Sequence, residues 1–221
     1  MKAFTNLKTI ACPLASSNVD TDQLIPARFM KEPRSVGYGQ FLLHDLRFDR
    51  DGAAYKNFIM NDQRMDSMEI LVARRNFGAG SSREAAVYAL VDYGVRCVIA
   101  PSFGDIFSAN AVNNGLLPAI VSESDADQLL TYLDQQLKTS SSRLEIEVDL
   151  KNELITAGDF MVTFSINPKW KIKLLNGWDD IDLTKNRQND IEHFRVRYQK
   201  MSTWTLPPVD GRIVKTSTKN R

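Results

Sequence analysis

The chain has 221 residues, 43% of them hydrophobic and 25% charged. That is the composition of an ordinary globular protein able to bury a core without disulfides or a structural metal. Its 28 basic and 27 acidic side chains leave a formal charge of +1, which argues against bulk attraction to nucleic acid or to acidic membranes. No run reaches the roughly 18 apolar residues of a membrane span. Met1 to Thr5 lacks the apolar core of a signal peptide, so neither segment is expected. The two cysteines, Cys12 and Cys97, each sit in an apolar, strand-like stretch. Buried reduced thiols and a cytoplasmic location are expected, and two distant thiols cannot hold a zinc ion or an iron–sulfur cluster alone.

Residues 7 to 12 read as a first strand. Asn18 to Phe29 is a polar turn followed by an apolar step broken at Pro26. Residues 30 to 66, rich in Gly, Arg, Asp and aromatics, show little periodicity and read as a long loop with short helical pieces, a kind of segment that is often functional. Regular alternation then begins. Met68 to Ala73 is a continuous apolar strand, and a helix follows from about Ser82 to Tyr93, stopped by Gly94. Val95 to Ala100 is a strand, Phe103 to Asn113 a helix, Leu116 to Val121 a strand and Asp125 to Leu137 a helix. This order predicts parallel pairing over residues 68–137.

The texture changes after residue 140. Leu144 to Val148 alternates strictly, and Leu154 to Thr156 with Met161 to Ile166 continues it as a small antiparallel sheet. Lys169 to Leu175 and the charged stretch Asp190 to Met201 are expected to be helical. One domain over 1–201 and a tail over 202–221, ending in the basic run Lys215 to Arg221, complete the expected organisation.

The chemistry concentrates in residues 76 to 85, Asn-Phe-Gly-Ala-Gly-Ser-Ser-Arg-Glu-Ala. Gly78 and Gly80 permit a sharp turn. Ser81 with Glu84 three residues on reads as a capping box. A helix start offers free N–H groups and a partial positive charge, and Arg83 adds a planar fork suited to a carboxylate or phosphate. Two readings stand: an anion site, or a structural cap. Capping explains Ser81 and Glu84 but not Ser82, Arg83 or the paired glycines. A Walker loop is disfavoured because no lysine follows Gly80. Asn18, Asp20, Thr21, Asp22 and Gln23 form a second polar cluster, able to orient a substrate hydroxyl or a metal-bound water, or simply to make an Asx-turn. His44 and His193 lack partners at metal-ligand spacing, and Asp179, Asp180 and Asp182 read as a loop or helix cap.

Taken together, Asn18-Val-Asp-Thr-Asp-Gln-Leu-Ile-Pro26 and Asn76-Phe-Gly-Ala-Gly-Ser-Ser-Arg-Glu84 resemble the small-subunit family of 3-isopropylmalate dehydratase, within the aconitase superfamily. Arg34 with Gly37-Tyr-Gly39, Asp45-Leu-Arg-Phe48, Ala100-Pro-Ser-Phe-Gly-Asp-Ile-Phe107, Asn113-Asn-Gly-Leu-Leu-Pro118 and Asn176-Gly-Trp-Asp-Asp-Ile181 fit in the same order, over about residues 5 to 200. The resemblance implies an α/β fold, the three-layer β/β/α swivelling domain of aconitase. It also implies a hydro-lyase that isomerises 2-isopropylmalate in leucine biosynthesis. The four-iron four-sulfur cluster of such an enzyme is carried by a partner large subunit, and the substrate is a small diacid. By residue, it implies Ser81 as catalytic base, Ser82 and Arg83 as substrate-carboxylate contacts, Asp22 with Thr21 as the polar group near the substrate and the cluster's bound hydroxyl, and Arg34 as a second carboxylate contact. Alternatives are a paralogue acting on a citraconate, dimethylmaleate or homoaconitate-type acid, and a non-catalytic anion- or nucleotide-binding module.

Overall fold

The computed structural model describes residues 1–81, 83–139, 145–202 and 204. The chain divides into two compact units, Met1–Asp179 and Asp180–Arg221. The first holds a seven-stranded mixed sheet of order β4-β3-β2-β1-β5-β6-β7. Its strands are β1 (Asn6–Leu14), β2 (Ile70–Ala73), β3 (Cys97–Ala100), β4 (Leu117–Ile120), β5 (Glu145–Asp149), β6 (Leu154–Ala157) and β7 (Phe160–Thr163).

β1, β2, β3 and β4 pair in parallel, with Ala11 opposite Ile70, Ile70 opposite Cys97 and Cys97 opposite Leu117. The other edge of β1 pairs antiparallel with β5, and β5-β6-β7 continue antiparallel. β2 and β3 are buried at every residue, which is why they read as unbroken apolar runs. Each buried Ile, Leu or Val there contributes about 1.5–3 kcal/mol of apolar transfer. β5 alternates exposed and buried, as a half-covered strand does. The edges meet again where Ile120 and Ser165 exchange backbone hydrogen bonds of 3.1 and 2.7 Å, so the sheet is curled. This is the mixed α/β class expected from the sequence, with parallel alternation first and antiparallel strands after.

The helices of this unit are α1 (Thr21–Leu24), α2 (His44–Arg47), α3 (Glu84–Tyr93), α4 (Asp105–Asn113), α5 (Glu123–Thr139) and α6 (Pro168–Asn176). Residues 27–65 outside α2 form 310 turns and irregular chain, as the missing periodicity suggested. Gly94 and Gly177 close α3 and α6 in the left-handed region. The second unit contains α7 (Asp180–Lys185) and α8 (Gln188–Met201). Asp180 and Asp182 lie in the first turn of α7, where negative charge favours a helix start. The six-residue α7 is an addition to the sequence reading. The start of the expected strand at Leu144 and most of the expected tail, including Lys215 to Arg221, lie outside the described residues. Among the described residues no helix is long and apolar enough to cross a membrane.

Candidate active site

Because β1, β2 and β3 run parallel, their C-terminal ends face one edge of the sheet, where α/β proteins build sites. The chain leaving each strand there contributes one loop: 15–20 after β1, 74–83 after β2 and 101–104 after β3. The three are woven together. Gly78 N–H donates to the Val19 carbonyl at 2.7 Å, and Thr21 N–H to the Ala79 carbonyl at 3.0 Å. Phe77 N–H donates to Ser102 and Gly104 N–H to Phe77, at 3.0 and 2.9 Å. At the base, Asn76 Nδ2 donates to Asn18 Oδ1 at 2.9 Å, and both asparagines sit at positive φ. Asn tolerates that region better than most residues.

Glycine is required where these loops touch. Gly78 has φ +71°, and a Cβ there would lie 2.2 Å from the Phe107 ring. A Cβ on Gly104 would lie 2.6 Å from the Gly78 carbonyl oxygen. Beneath them Phe77, Phe103 and Phe107 form an aromatic wedge with ring centroids 5.5 to 6.3 Å apart. Sequence reasoning gave these three rings and Gly104 no role. The available signal was a glycine set between a phenylalanine and the acidic first turn of a helix.

The capping expectation needs correction. Arg83, not Ser81, is the N-cap of α3, and no side chain closes that cap. Glu84 instead accepts from Asn114 Nδ2 at 3.1 Å. The capping box of this region lies one loop away: Gln23 N–H donates to Asp20 Oδ1 at 2.7 Å and Asp20 N–H to Gln23 Oε1 at 3.1 Å. Ala86 N–H is taken up by the Arg83 carbonyl at 3.0 Å, and the positive dipole end of α3 beside Ser81 favours an anion.

Of the six site residues expected from the sequence, four come together. Thr21 is 2% exposed, and its hydroxyl donates to the Ser81 carbonyl at 2.7 Å. Arg83 forms an ion pair with Asp22. Thr21, Gly78, Gly80, Arg83, Gly104 and Phe107 are among the residues lining a cavity of about 210 Å3. Ser82 lies outside the described residues. Arg34 is not brought to this cavity: its guanidinium pairs with Asp92 and lies 4.2 Å over the Tyr88 ring. Asp92 lies nine positions beyond Arg83 along α3, about 13 Å of helical rise. A larger cavity of about 880 Å3 opens between Arg28, His44, Asp49 and Tyr55, with no residue of the serine loop in its lining. Among the described residues no three His, Cys, Asp or Glu side chains are grouped to hold a metal.

A curled mixed sheet with a serine–arginine loop at the parallel strand ends defines a member of the aconitase superfamily, and the aconitase C-terminal domain family matches residues 1–124. The small subunit of 3-isopropylmalate dehydratase from Rhodospirillum centenum is 41% identical over 93% of this chain and all of its own length. The one from Oceanobacillus iheyensis is 45% identical over 81% of this chain and 91% of its own. A crystal structure of 3-isopropylmalate dehydratase from Methanocaldococcus jannaschii superposes with a TM-score of 0.59 at 25% identity, covering 85% of this chain and 98% of that one. The chain belongs to the 3-isopropylmalate dehydratase small-subunit family.

Proposed function

We propose that this chain is the base-supplying half of a hydro-lyase that, with a large subunit, interconverts 2-isopropylmalate and 3-isopropylmalate in leucine biosynthesis. The observation that carries this reading is the tie of the Ser81 carbonyl to Thr21, at the start of α3 and beside a small cavity lined in part by Thr21, Gly80 and Arg83. That cavity, about 210 Å3, falls short of the roughly 300 Å3 at which ligand pockets usually begin. A second wall from another subunit supplies what is missing.

Ser81 Oγ, as alkoxide, removes a proton from the carbon beside a substrate carboxylate while the neighbouring hydroxyl leaves as hydroxide. Hydroxide then adds at the first carbon and Ser81 gives its proton to the adjacent one, so the alkoxide is restored. An alkoxide is far too basic to persist in water, so it needs a preorganised field. The positive dipole end of α3 and the Arg83 charge would provide one. Arg83 keeps N–H donors beyond the one given to Asp22 and can grip a carboxylate. Ser82 shares that grip, and Asp22 holds Arg83 in register.

Cys12 and Cys97 are wholly buried in β1 and β3, and burial pushes both thiols up, so neither is placed to ligate a cluster. The four-iron four-sulfur cluster is assigned to the large subunit, where it would act as a Lewis acid on the departing hydroxyl. Ser81→Ala in the reconstituted enzyme should lower kcat at least about 10³-fold, the scale of a lost general base, with subunit assembly intact. Turnover near the unsubstituted rate would remove Ser81 from the role. Comparing isopropylmalate with citramalate and dimethylmalate as substrates fixes the diacid.

A further inference from the structure

Thr21 meets the serine loop twice. Its N–H donates to the carbonyl of Ala79 and its hydroxyl to the carbonyl of Ser81, at 3.0 and 2.7 Å. The residue bracketed by these bonds is Gly80, at φ +96°. Without a side chain, Gly80 is the softest joint in the loop, and its rotation would swing Ser81. Thr21 spans that joint from both sides.

The clamp is itself rigid. Thr21 opens α1, whose start is closed by the Asp20–Gln23 capping box. The far end of α1 is sunk in the core through Leu24 and Ile25, neither exposed at all, and the Leu24 carbonyl accepts from Leu43 N–H at 3.0 Å. The Asp20 backbone also forms a parallel bridge with Ala79. With Thr21 only 2% exposed, its one hydroxyl proton goes to Ser81 and not to a ligand.

We propose that Thr21 is a positioning residue for the Ser81 base, locking Gly80 so that Oγ is held at the reacting carbon, and not a hydrogen-bond donor to the substrate. The inference rests on the reading of Ser81 as base. A base displaced by about 1 Å costs on the order of 10²-fold in rate, whereas binding of the diacid depends on Arg83 and is left in place.

The test uses the enzyme reconstituted with its large subunit. Thr21→Val keeps the shape and removes the hydroxyl. It should lower kcat about 10- to 100-fold with KM for isopropylmalate within about 3-fold, because the lost interaction acts on chemistry and not on binding. Thr21→Ser restores the donor and should recover most of the rate. A purely structural role would be blind to this difference between Val and Ser at matched subunit assembly. The proposal is overturned if Thr21→Val turns over at the unsubstituted rate, if its loss lies in KM with kcat unchanged, or if Thr21→Ser is as impaired as Thr21→Val. Should the valine chain fail to assemble, Thr21→Ala carries the same expectations and the same refutations. Ser81→Ala is measured alongside. If that variant keeps its turnover, the reading of Ser81 has failed, whatever Thr21 does; if it is dead while Thr21→Val is normal, only the clamp has failed.

Discussion

Two irregular regions press on the same helix, and each sends it an arginine. The loop at 76–83 meets the start of α3, where Arg83 stands beside Ser81 and pairs across to Asp22. The segment at 32–41 lies against the later turns, where Arg34 pairs with Asp92 and covers Tyr88. That second contact is close. A Cβ on Gly39 would lie 2.5 Å from the Tyr93 backbone nitrogen, and Asp92 Oδ2 also accepts the Tyr38 N–H at 2.7 Å. The first arginine is held at a cavity with donors to spare, while the second is consumed in fastening a loop. An arginine in a functional-looking loop is therefore read by its partner, not by its loop.

The largest expected effect breaks the first region outright. Gly78→Ala places a methyl in the Phe107 ring on a backbone with positive φ, so the loop must move. Activity of the reconstituted enzyme should fall at least about 100-fold, and the melting temperature should drop as well. A fully active alanine variant would show that the Gly78–Phe107 contact does not shape the site. Next comes the direct contrast. Arg83→Ala should reduce kcat/KM about 10²- to 10³-fold through loss of a charge-assisted carboxylate contact, with little change in melting temperature. Arg34→Ala should do the reverse. Its kcat/KM should stay within about 3-fold, while the ion pair and ring contact, together about 1 kcal/mol, cost about 2–4 °C. A 100-fold loss of kcat/KM in Arg34→Ala would return Arg34 to the substrate.

Legibility in the sequence followed the same divide. The parallel strands were readable because β2 and β3 are buried on both faces, and β5 because its alternation survives half-burial. The serine loop was readable as a place, since Gly78, Gly80 and Arg83 are unusual together. Its internal wiring was not. Ser81 and Glu84 have capping-box spacing, yet the chain at Arg83 is extended and the helix starts one residue later. Local spacing fixes which bonds are possible; the partner loop from β1, 60 residues away, decides which one the Ser81 carbonyl takes up. The partner of Arg34 was hidden for the same reason, because Asp92 is 58 residues distant and no local pattern announces it. The carboxyl-end rim likewise depends on three strands pairing in parallel, a tertiary fact.

The smallest expected effect concerns acid, and it sharpens the view of the long segment as a structural fastening. Beside Arg34–Asp92, that segment closes its charges in further pairs, Arg28–Asp45 and Asp62–Arg64. Hydrogen bonding from Arg28 holds the Asp45 carboxyl down at about 2, and hydrogen bonds from the Arg64 side chain and backbone hold Asp62 at about 2. In the unfolded chain both return to the ordinary carboxylate range near 4. A folded-state value below the unfolded one means that the unfolded state binds more protons between them. The stabilisation is therefore complete above about pH 4 and is lost as pH falls through about 2. Side-chain exposures of 30% for Asp62 and 55% for Asp45 admit solvent screening, which limits the contribution to less than about 1 kcal/mol for each. Urea unfolding of the isolated chain from pH 5 to pH 2 should show the acid loss, and Asp62→Asn should flatten its slope within the pH 4 to 2 window while leaving the melting behaviour at pH 7 lowered by under about 1 kcal/mol. Identical slopes for the two chains would mean that the Asp62–Arg64 pair does not persist in solution, and the fastening would then rest on Arg34–Asp92, Arg28–Asp45 and the ring contacts.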